Sequence, residues 1–289
     1  MWRETVTLPF KYDFDFVLER MEEDPLIHLD REKKWVDIPV SDRDVRDVVR
    51  VTSIGTTEEP VFLLEGEKEK DYLLERVSDI FLWNRNINEI EDHFKETSLA
   101  ELQKEFPATP VVKSFHPYDA LMRVIIHQQL NTSFAYTLST RFVQEYGYKW
   151  RGVWFYPTPE TVASLSYEDL RKLQFSGRKA EYVIDTSRKI VKGEVDLHSF
   201  YSMTDEETKN SLTKIRGIGK WTAQNWLMTG LGRPDLFPEA DVGIQNAWKK
   251  YFDLDTKPDR SEMIPESERW APYRSYAALL LWRSLMGKK

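Results

Sequence analysis

Apolar residues in the first 87 positions recur with two different periods. Short runs rich in β-branched residues are separated by Pro, Gly and a Thr-Thr-Glu-Glu turn, which is typical of strands. The predicted strands are residues 4–9, 35–40, 48–54 and 61–65. Residues 71–83 instead place Leu73, Leu74, Val77, Ile80 and Phe81 on one helical face. Residues 12–16, in which Asp13 and Asp15 alternate with aromatic side chains, predict the edge of a strand with a structural role.

From about residue 88 the pattern becomes helical. Short amphipathic pieces end at Pro107 and Pro110, and Pro117 opens a helix at its first position. The later helix starts carry polar caps, namely Asn131-Thr132-Ser133, Thr158, Ser166 with Asp169, Ser176, and Thr204 with Glu207. A helix is predicted from Asp241 to about Tyr251, a loop over 253–268, and a last helix opened by Trp270-Ala271-Pro272. The chain therefore has an α+β pattern that is mostly α.

Residues 212–234 predict two helices joined by a very short turn. The turn is Arg216-Gly217-Ile218-Gly219-Lys220, and the second helix, 221–231, is closed by Gly232 and stopped by Pro234. The charged residues of this stretch are all basic: Lys214, Arg216, Lys220 and Arg233. Free N–H groups at the start of the second helix suit an anion, so residues 217–220 (Gly217, Ile218, Gly219, Lys220) are the candidate phosphate-binding residues.

Composition narrows the class of protein. The chain has 289 residues, 41% of them hydrophobic and 31% charged, and no apolar run of 18 residues, so no membrane association is expected. The first residues lack the apolar core of a signal peptide. There is no cysteine, which excludes disulfides and an iron–sulfur cluster.

The net charge is −7, but residues 1–110 hold 27 acids and 15 bases, whereas the remainder holds 21 acids and 26 bases. A nucleic acid would therefore bind the C-terminal two-thirds.

The string LTKIRGIGKWTA resembles the helix-hairpin-helix of the HhH-GPD superfamily of base-excision DNA glycosylases. Asp241 follows twenty residues after Trp221, where that superfamily carries its catalytic aspartate. The Trp after the hairpin, together with IIHQQLN and WAPYRSYAALLLW, resembles the 3-methyladenine-DNA glycosylase II (AlkA) family. The resemblance implies an antiparallel-sheet α/β domain, residues 1–87, followed by a two-subdomain helical core, residues 88–289. The hairpin would span about 205–232, with the cleft between 113–233 and 88–112 plus 234–289.

Asp241 is the catalytic residue that this resemblance implies. Cleavage of an N-glycosidic bond builds positive charge on the sugar, and a carboxylate stabilises that charge and orients the attacking water. The dipole of the following helix favours the ionised form. Taken alone, Asp241 fits an ordinary helix cap; the hairpin and the spacing favour catalysis.

The family places a base pocket around Trp221. Bifunctional relatives carry a lysine at the position of Trp221, and that lysine attacks the sugar. Lys220 is one residue earlier and would point elsewhere. The chain should therefore be monofunctional, with water as the attacking group and no cleavage of the strand. Trp282 matches the second pocket Trp, although core packing is the competing interpretation. An indole face suits the positive charge of a base alkylated at a ring nitrogen. Asn225 stands where the family often has Tyr, and Tyr273 or Trp226 would compensate.

The family resemblance also implies residues that contact the DNA strand. An enzyme that takes a base out of the duplex must fill the gap, and Gln129, flanked by Gln128 and Leu130, matches the intercalating position, with a polar helix end as the alternative. Backbone carbonyls of Thr213, Ile215 and Gly217 match a monovalent cation site, for Na⁺ or K⁺. No other cofactor is expected, since the five histidines are scattered.

The predicted function is monofunctional excision of alkylated purines, 3-methyladenine and 7-methylguanine, from double-stranded DNA. The protein is expected to act as a monomer, in the bacterial cytoplasm or nucleoid, or in a eukaryotic nucleus. Three alternatives stay open. They are a glycosylase for an oxidised or deaminated purine, suggested by Asn225, a non-catalytic helix-hairpin-helix DNA-binding protein, and a structural helical protein without a DNA role.

Overall fold

An N-terminal antiparallel sheet and a larger helical region make up the protein. The computed structural model describes residues 1–42 and 45–286, so the last three residues of the predicted helical core lie outside the described part. The predicted α+β, mostly α fold class is confirmed.

The sheet has five strands in the order β1-β5-β4-β3-β2, all antiparallel neighbours. The strands are β1 (Trp2–Thr7), β2 (His28–Asp30), β3 (Trp35–Asp42), β4 (Val45–Ser53) and β5 (Val61–Gly66). The two helices of this part are α1 (Phe14–Glu22) and α2 (Lys70–Phe81). Alternate residues of β5, Phe62 and Leu64, are fully buried against side chains from both helices, as the period of a half-buried strand requires. The four predicted strands are confirmed, and the short β2 was missed.

The prediction of a strand edge at residues 12–16 is wrong. Asp13 is the N-cap of α1, and its Oδ1 accepts a hydrogen bond from the Phe16 N–H at 3.0 Å. Its Oδ2 accepts from Arg283, 2.7 Å away, and so ties the N-terminal part to the last helix. Alternation over five residues does not distinguish a strand from a cap followed by a first helical turn.

Twelve α-helices and one two-stranded hairpin form the described part of the helical region. The helices are α3 (Ile87–Phe94), α4 (Ala100–Glu105), α5 (Pro117–His127), α6 (Thr132–Tyr146), α7 (Pro159–Ala163), α8 (Tyr167–Lys172), α9 (Gly177–Val191), α10 (Asp205–Leu212), α11 (Lys220–Thr229), α12 (Val242–Tyr251), α13 (Arg260–Glu268) and α14 (Arg274–Leu285). The hairpin is β6 (Tyr148–Trp150) with β7 (Val153–Phe155). Within the described residues, no helix combines the length and the apolar character that crossing a membrane requires.

Most predicted helix starts are confirmed, and one loop is not. Ser166 with Asp169 and Thr204 with Glu207 form capping boxes. The predicted loop 253–268 contains α13, which begins at a third capping box made by Asp259 and Glu262. Pro265 lies inside this helix. Because proline usually ends or kinks a helix, the sequence pattern predicted a loop here.

The helical region forms two layers. In one, α5 packs against α6, α9 and α11, and α10 packs against α11; in the other, α14 packs against α12 and α4. The chain passes from the first layer to the second between α11 and α12. Asp241, the cap of α12, therefore lies where the layers meet. The exact domain division at 87/88 stays a prediction, since α1 places Phe16 in the helical core and Phe14 in the sheet core.

A cavity of about 160 Å³ lies where α1, residues 110–115 and α5 meet, and it is lined by Asp119 and Arg123. Burial raises the pKa of Asp119 to about 8, and the Arg123 guanidinium offsets this only in part. In an unfolded chain the same carboxyl titrates near 4. The folded protein thus holds this proton more tightly, and Asp119 reduces stability progressively as the pH rises from about 4 to about 8.

Replacing Asp119 by Asn is expected to remove this loss of folding stability at high pH. The melting temperature of Asp119→Asn should exceed that of the wild type by about 2–5 °C at pH 9 and by much less at pH 5. Thermal unfolding at both pH values tests this, with Asp255→Asn, at an exposed position, as the control. The same temperature difference at both pH values would contradict it.

Candidate active site

Asp241 accepts three hydrogen bonds, all from groups that the fold brings to it. As the N-cap of α12 it receives the Ile244 N–H on Oδ1 at 3.0 Å. Trp282 Nε1 donates to the same oxygen at 3.1 Å, and Trp221 Nε1 donates to Oδ2 at 3.0 Å. A carboxylate offers about four acceptor positions, so one is left for a water or a substrate group. The carboxylate is partly exposed and therefore reachable.

The two tryptophans reach Asp241 from different helices. Trp221 lies in the first turn of α11 and Trp282 near the end of α14, and both side chains are partly exposed. Their polar edges point at one carboxylate, which fixes the position of each ring relative to Asp241. The sequence placed all three residues in one site through the family resemblance, but it did not predict these hydrogen bonds. Lys220 is exposed and lies about 100° around α11 from Trp221.

Gly243 makes the close approach of Trp282 possible. A Cβ atom at this position would lie 2.9 Å from Asp241 Oδ1 and 3.0 Å from Trp282 Nε1. Any larger residue would push the indole or the carboxylate out of place. Sequence reasoning missed Gly243. The signal that could have found it is a glycine in the first turn of a helix, where it is unfavourable unless close packing requires it.

The hairpin between α10 and α11 presents backbone N–H groups to solvent. Gly217 has φ +92°, and Gly219, with φ −92° and ψ 178°, is the N-cap of α11 with no side chain capping the helix. Ile218 is 3% exposed and anchors the turn, whereas Gly219 and Lys220 are exposed. The first turn of α11 contains no acidic residue. This arrangement can accept an anion. The helix itself ends at Thr229, two residues before the predicted end.

Gln128, Gln129 and Leu130 connect α5 to α6. The Gln128 amide donates to the Gly217 carbonyl and to Thr222 Oγ1, each at 2.8 Å, so this side chain is held inside the protein. Gln129 is exposed and has φ +56°, an uncommon conformation for a residue other than glycine. Leu130 is partly buried against the helical core. The structure therefore presents Gln129, rather than Gln128, toward solvent.

The remaining pocket residues occupy different surroundings. Asn225 lies one turn after Trp221, and its amide donates to the Trp221 carbonyl at 3.0 Å. Tyr273 packs edge-on against His93 and Tyr276, about 13 Å along α14 from Trp282. The places of Asn225 and Tyr273 in a base pocket stay predictions. Trp226 cannot compensate as suggested, because it is 0% exposed and bonded to the Pro117 carbonyl.

Thr213, Ile215 and Gly217 form the end of α10 and the start of the turn. The Ile215 carbonyl accepts from Ile218 N–H, and the Gly217 carbonyl accepts from Gln128. Each carbonyl has two lone pairs, so the three can still contribute oxygen ligands to Na⁺ or K⁺. Within residues 1–42 and 45–286, no group of three or more His, Asp or Glu side chains could hold a metal ion.

Comparison with known proteins identifies the family. Residues 122–272 match the HhH-GPD superfamily base excision DNA repair protein model. A Bacillus subtilis protein, YfjP, named as a candidate DNA-3-methyladenine glycosylase, is 49% identical over 99% of this chain and 100% of its own length.

Solved structures agree with this result. The 3-methyladenine DNA-glycosylase from Archaeoglobus fulgidus superposes with a TM-score of 0.84 at 21% identity, over 98% of this chain and 97% of the other, which shows the shared fold. Schizosaccharomyces pombe 3-methyladenine DNA glycosylase in complex with abasic DNA gives a TM-score of 0.61 at 27% identity, over 69% and 97%. The chain belongs to the HhH-GPD superfamily of base excision DNA repair proteins and resembles its 3-methyladenine-DNA glycosylases.

Proposed function

We propose that the protein is a monofunctional DNA glycosylase that hydrolyses the N-glycosidic bond of alkylated purines, 3-methyladenine and 7-methylguanine, in duplex DNA. The observation that carries the proposal is the convergence of Trp221 and Trp282 on Asp241. A negative charge and two aromatic rings then lie together in a partly exposed site between two helical layers. The relatives named DNA-3-methyladenine glycosylase support the choice of substrate.

Asp241 would stabilise the positive charge that develops on the deoxyribose. As the bond from C1′ to the base nitrogen breaks, the bonding electrons leave with the base, and a base that carried a positive charge departs neutral. Water forms the new bond to C1′, and its proton passes to Asp241 or to solvent. Three hydrogen bonds to the carboxylate fix its position before the reaction, so little reorganisation is needed during it.

Trp221 and Trp282 would hold the flipped base. Because Asp241 accepts a hydrogen bond from each indole N–H, the rings stay beside the carboxylate. Both side chains are partly exposed, and the exposed part of each ring would stack on the base. A cationic purine is attracted to an indole face and to the nearby negative charge. A neutral purine can stack on an indole but lacks these two electrostatic attractions, so the site would favour alkylated bases.

Trp221 also supports the absence of lyase activity. A Schiff-base mechanism needs an amine at the sugar, and the side chain that points at Asp241 from α11 is an indole. Lys220 is exposed at the preceding position. Hydrolysis would therefore leave an intact abasic strand.

The hairpin and the loop 128–130 would bind the damaged strand. The uncapped start of α11 would receive a phosphate, with Lys220 adding charge, and Na⁺ or K⁺ at the Thr213, Ile215 and Gly217 carbonyls would strengthen this contact. The exposed Gln129 would fill the gap left by the extruded base. The protein would act as a monomer on double-stranded DNA.

A second candidate is excision of an oxidised or deaminated purine. Asn225 lies one turn from Trp221, and an amide can bond to the polar edge of such a base. The two candidates differ in the substrate class and share the chemistry at Asp241.

Base release tests both candidates. Duplexes with single 7-methylguanine, hypoxanthine or 8-oxoguanine lesions, and methylated DNA for 3-methyladenine, are incubated with the protein, and abasic sites are then cut with hot alkali. We expect release of the alkylated purines and strand cutting only after alkali. Cutting without alkali would contradict the monofunctional mechanism. Release of only the other lesions would favour the second candidate, and no release would favour a DNA-binding protein without catalysis.

A further inference from the structure

Lys179, on α9, makes contacts that none of the proposed chemistry uses. Its side chain is buried, 8% exposed, and its Nζ donates hydrogen bonds to the carbonyls of Ile125, Ile126 and Gln128 at 3.3, 2.5 and 2.9 Å. These acceptors belong to the end of α5 and the residue after it. The last carbonyls of a helix have no partner within the helix, and its C-terminus carries partial negative charge. The buried Lys179 ammonium donates hydrogen bonds to these carbonyls, and its positive charge lies next to the partial negative charge.

The segment that Lys179 holds is the base of the loop at Gln129. The helix ends at His127, Gln128 leaves the helical conformation with φ −48° and ψ 128°, and Gln129 lies in the left-handed region with φ +56°. That conformation is unfavourable for a residue with a side chain and persists where the surroundings enforce it. Gln128 is fixed on two sides, its carbonyl by Lys179 and its amide by Gly217 in the turn and Thr222 in the first turn of α11.

These bonds join α9 to the two parts of the protein that would touch DNA. Lys179 comes from α9, the loop follows α5, and the hairpin lies between α10 and α11. Gln129 is therefore presented at a fixed place relative to the phosphate site. If the loop were free to relax, the Gln129 side chain would occupy the gap in the DNA duplex less often. An extruded base would then return to the stack more readily.

We propose that Lys179 is a positioning residue that holds the loop 128–130 in the conformation that inserts Gln129 into the duplex. The inference rests on the proposed function and concerns the opening of the base pair, not bond cleavage. The Lys179 side chain reaches the backbone of the loop, so its effect on DNA passes through Gln129.

The effect of Lys179→Met should depend on how firmly the damaged base is paired. Removing the partner base lowers the cost of extrusion. We therefore compare single-turnover base release from a paired lesion and from the same lesion opposite an abasic-site analogue, using the substrate that the wild type cleaves fastest. The ratio of the two rates is independent of the fraction of active protein. We expect Lys179→Met to slow release from the paired lesion about 10- to 100-fold and to leave the unpaired lesion nearly unaffected.

Two further variants separate loop positioning from a general effect. Lys192→Met removes one exposed charge near the other end of α9 and should keep the wild-type ratio. Lys179→Met combined with Gln129→Ala should give the ratio of Gln129→Ala alone, because both changes would disable the same step. Should Lys179→Met not fold, Lys179→Gln is measured in the same way.

Two results would overturn the inference and leave the proposed function intact. In the first, Lys179→Met has the same ratio of paired to unpaired release rates as the wild type. In the second, the effects of Lys179→Met and Gln129→Ala on this ratio multiply in the double variant. A wild type that releases no base would overturn the proposed function instead. The same variants are then compared by the fluorescence of 2-aminopurine in bound duplex DNA, which rises when a base leaves the stack. A rise in the wild type that Lys179→Met loses would support the positioning role, and equal signals would overturn it.

Discussion

Replacement of Asp241 by Asn is expected to reduce the single-turnover rate of base release at least about 100-fold. The substitution removes the negative charge that would face the developing positive charge on the sugar. It also replaces one of the two carboxylate oxygens by an amide N–H₂, and each oxygen now accepts from a different indole, so either Trp221 or Trp282 loses its acceptor. Asn is a good helix cap, and the start of α12 should therefore persist.

Binding measurements separate this loss from unfolding. Asp241→Asn should bind duplex DNA containing an abasic-site analogue within a few-fold of the wild type, measured by fluorescence anisotropy at a fixed salt concentration. Its melting temperature should also stay close to that of the wild type. Full base release by this variant would overturn the role of Asp241, and loss of both binding and folding would make the residue structural.

Replacement of Gly217 by Ala is expected to damage both the fold and DNA binding. The residue has φ +92°, and an added Cβ would lie 2.3 to 2.5 Å from ring atoms of Tyr182 on α9. The strained backbone and the overlap together should destabilise the protein by about 2–4 kcal/mol. Because the Gly217 carbonyl also holds Gln128, the loop at Gln129 should shift with the turn. Thermal unfolding and DNA affinity measure the two effects.

Gly219→Ala is the matched control, two residues away in the same turn. Gly219 has an extended backbone, and an added Cβ meets nothing within 4 Å. Its effect on stability should remain under about 1 kcal/mol, whereas DNA affinity should fall about 10-fold if a phosphate packs against this backbone. Unchanged affinity in Gly219→Ala would place the phosphate elsewhere, and wild-type stability in Gly217→Ala would show that the turn can rearrange.

Local signals in the sequence predicted most of the elements. Pro117 gave the start of α5, and capping residues gave the starts of α6 to α10, since a cap and its helix lie within four residues of each other. Failures occurred where a short pattern fitted two structures, as at Asp13, or where a local rule was overridden, as by Pro265 inside α13. The strands β2, β6 and β7, with three residues each, are too short for a periodic signal and depend on their partners.

The sequence by itself determined the hairpin, the cap at Asp241 and the class of chemistry. Each depends on residues close together in the chain, or on a spacing that the family shares. Only the tertiary structure decided that Trp282, forty-one residues from Asp241, would donate to the same carboxylate as Trp221, and that Gly243 would leave room for it. It likewise decided that Lys179 would reach the end of α5, more than fifty residues away. Such contacts arise from how helices pack, and the pattern within one helix shows which face is buried but not which residue of a distant helix it meets.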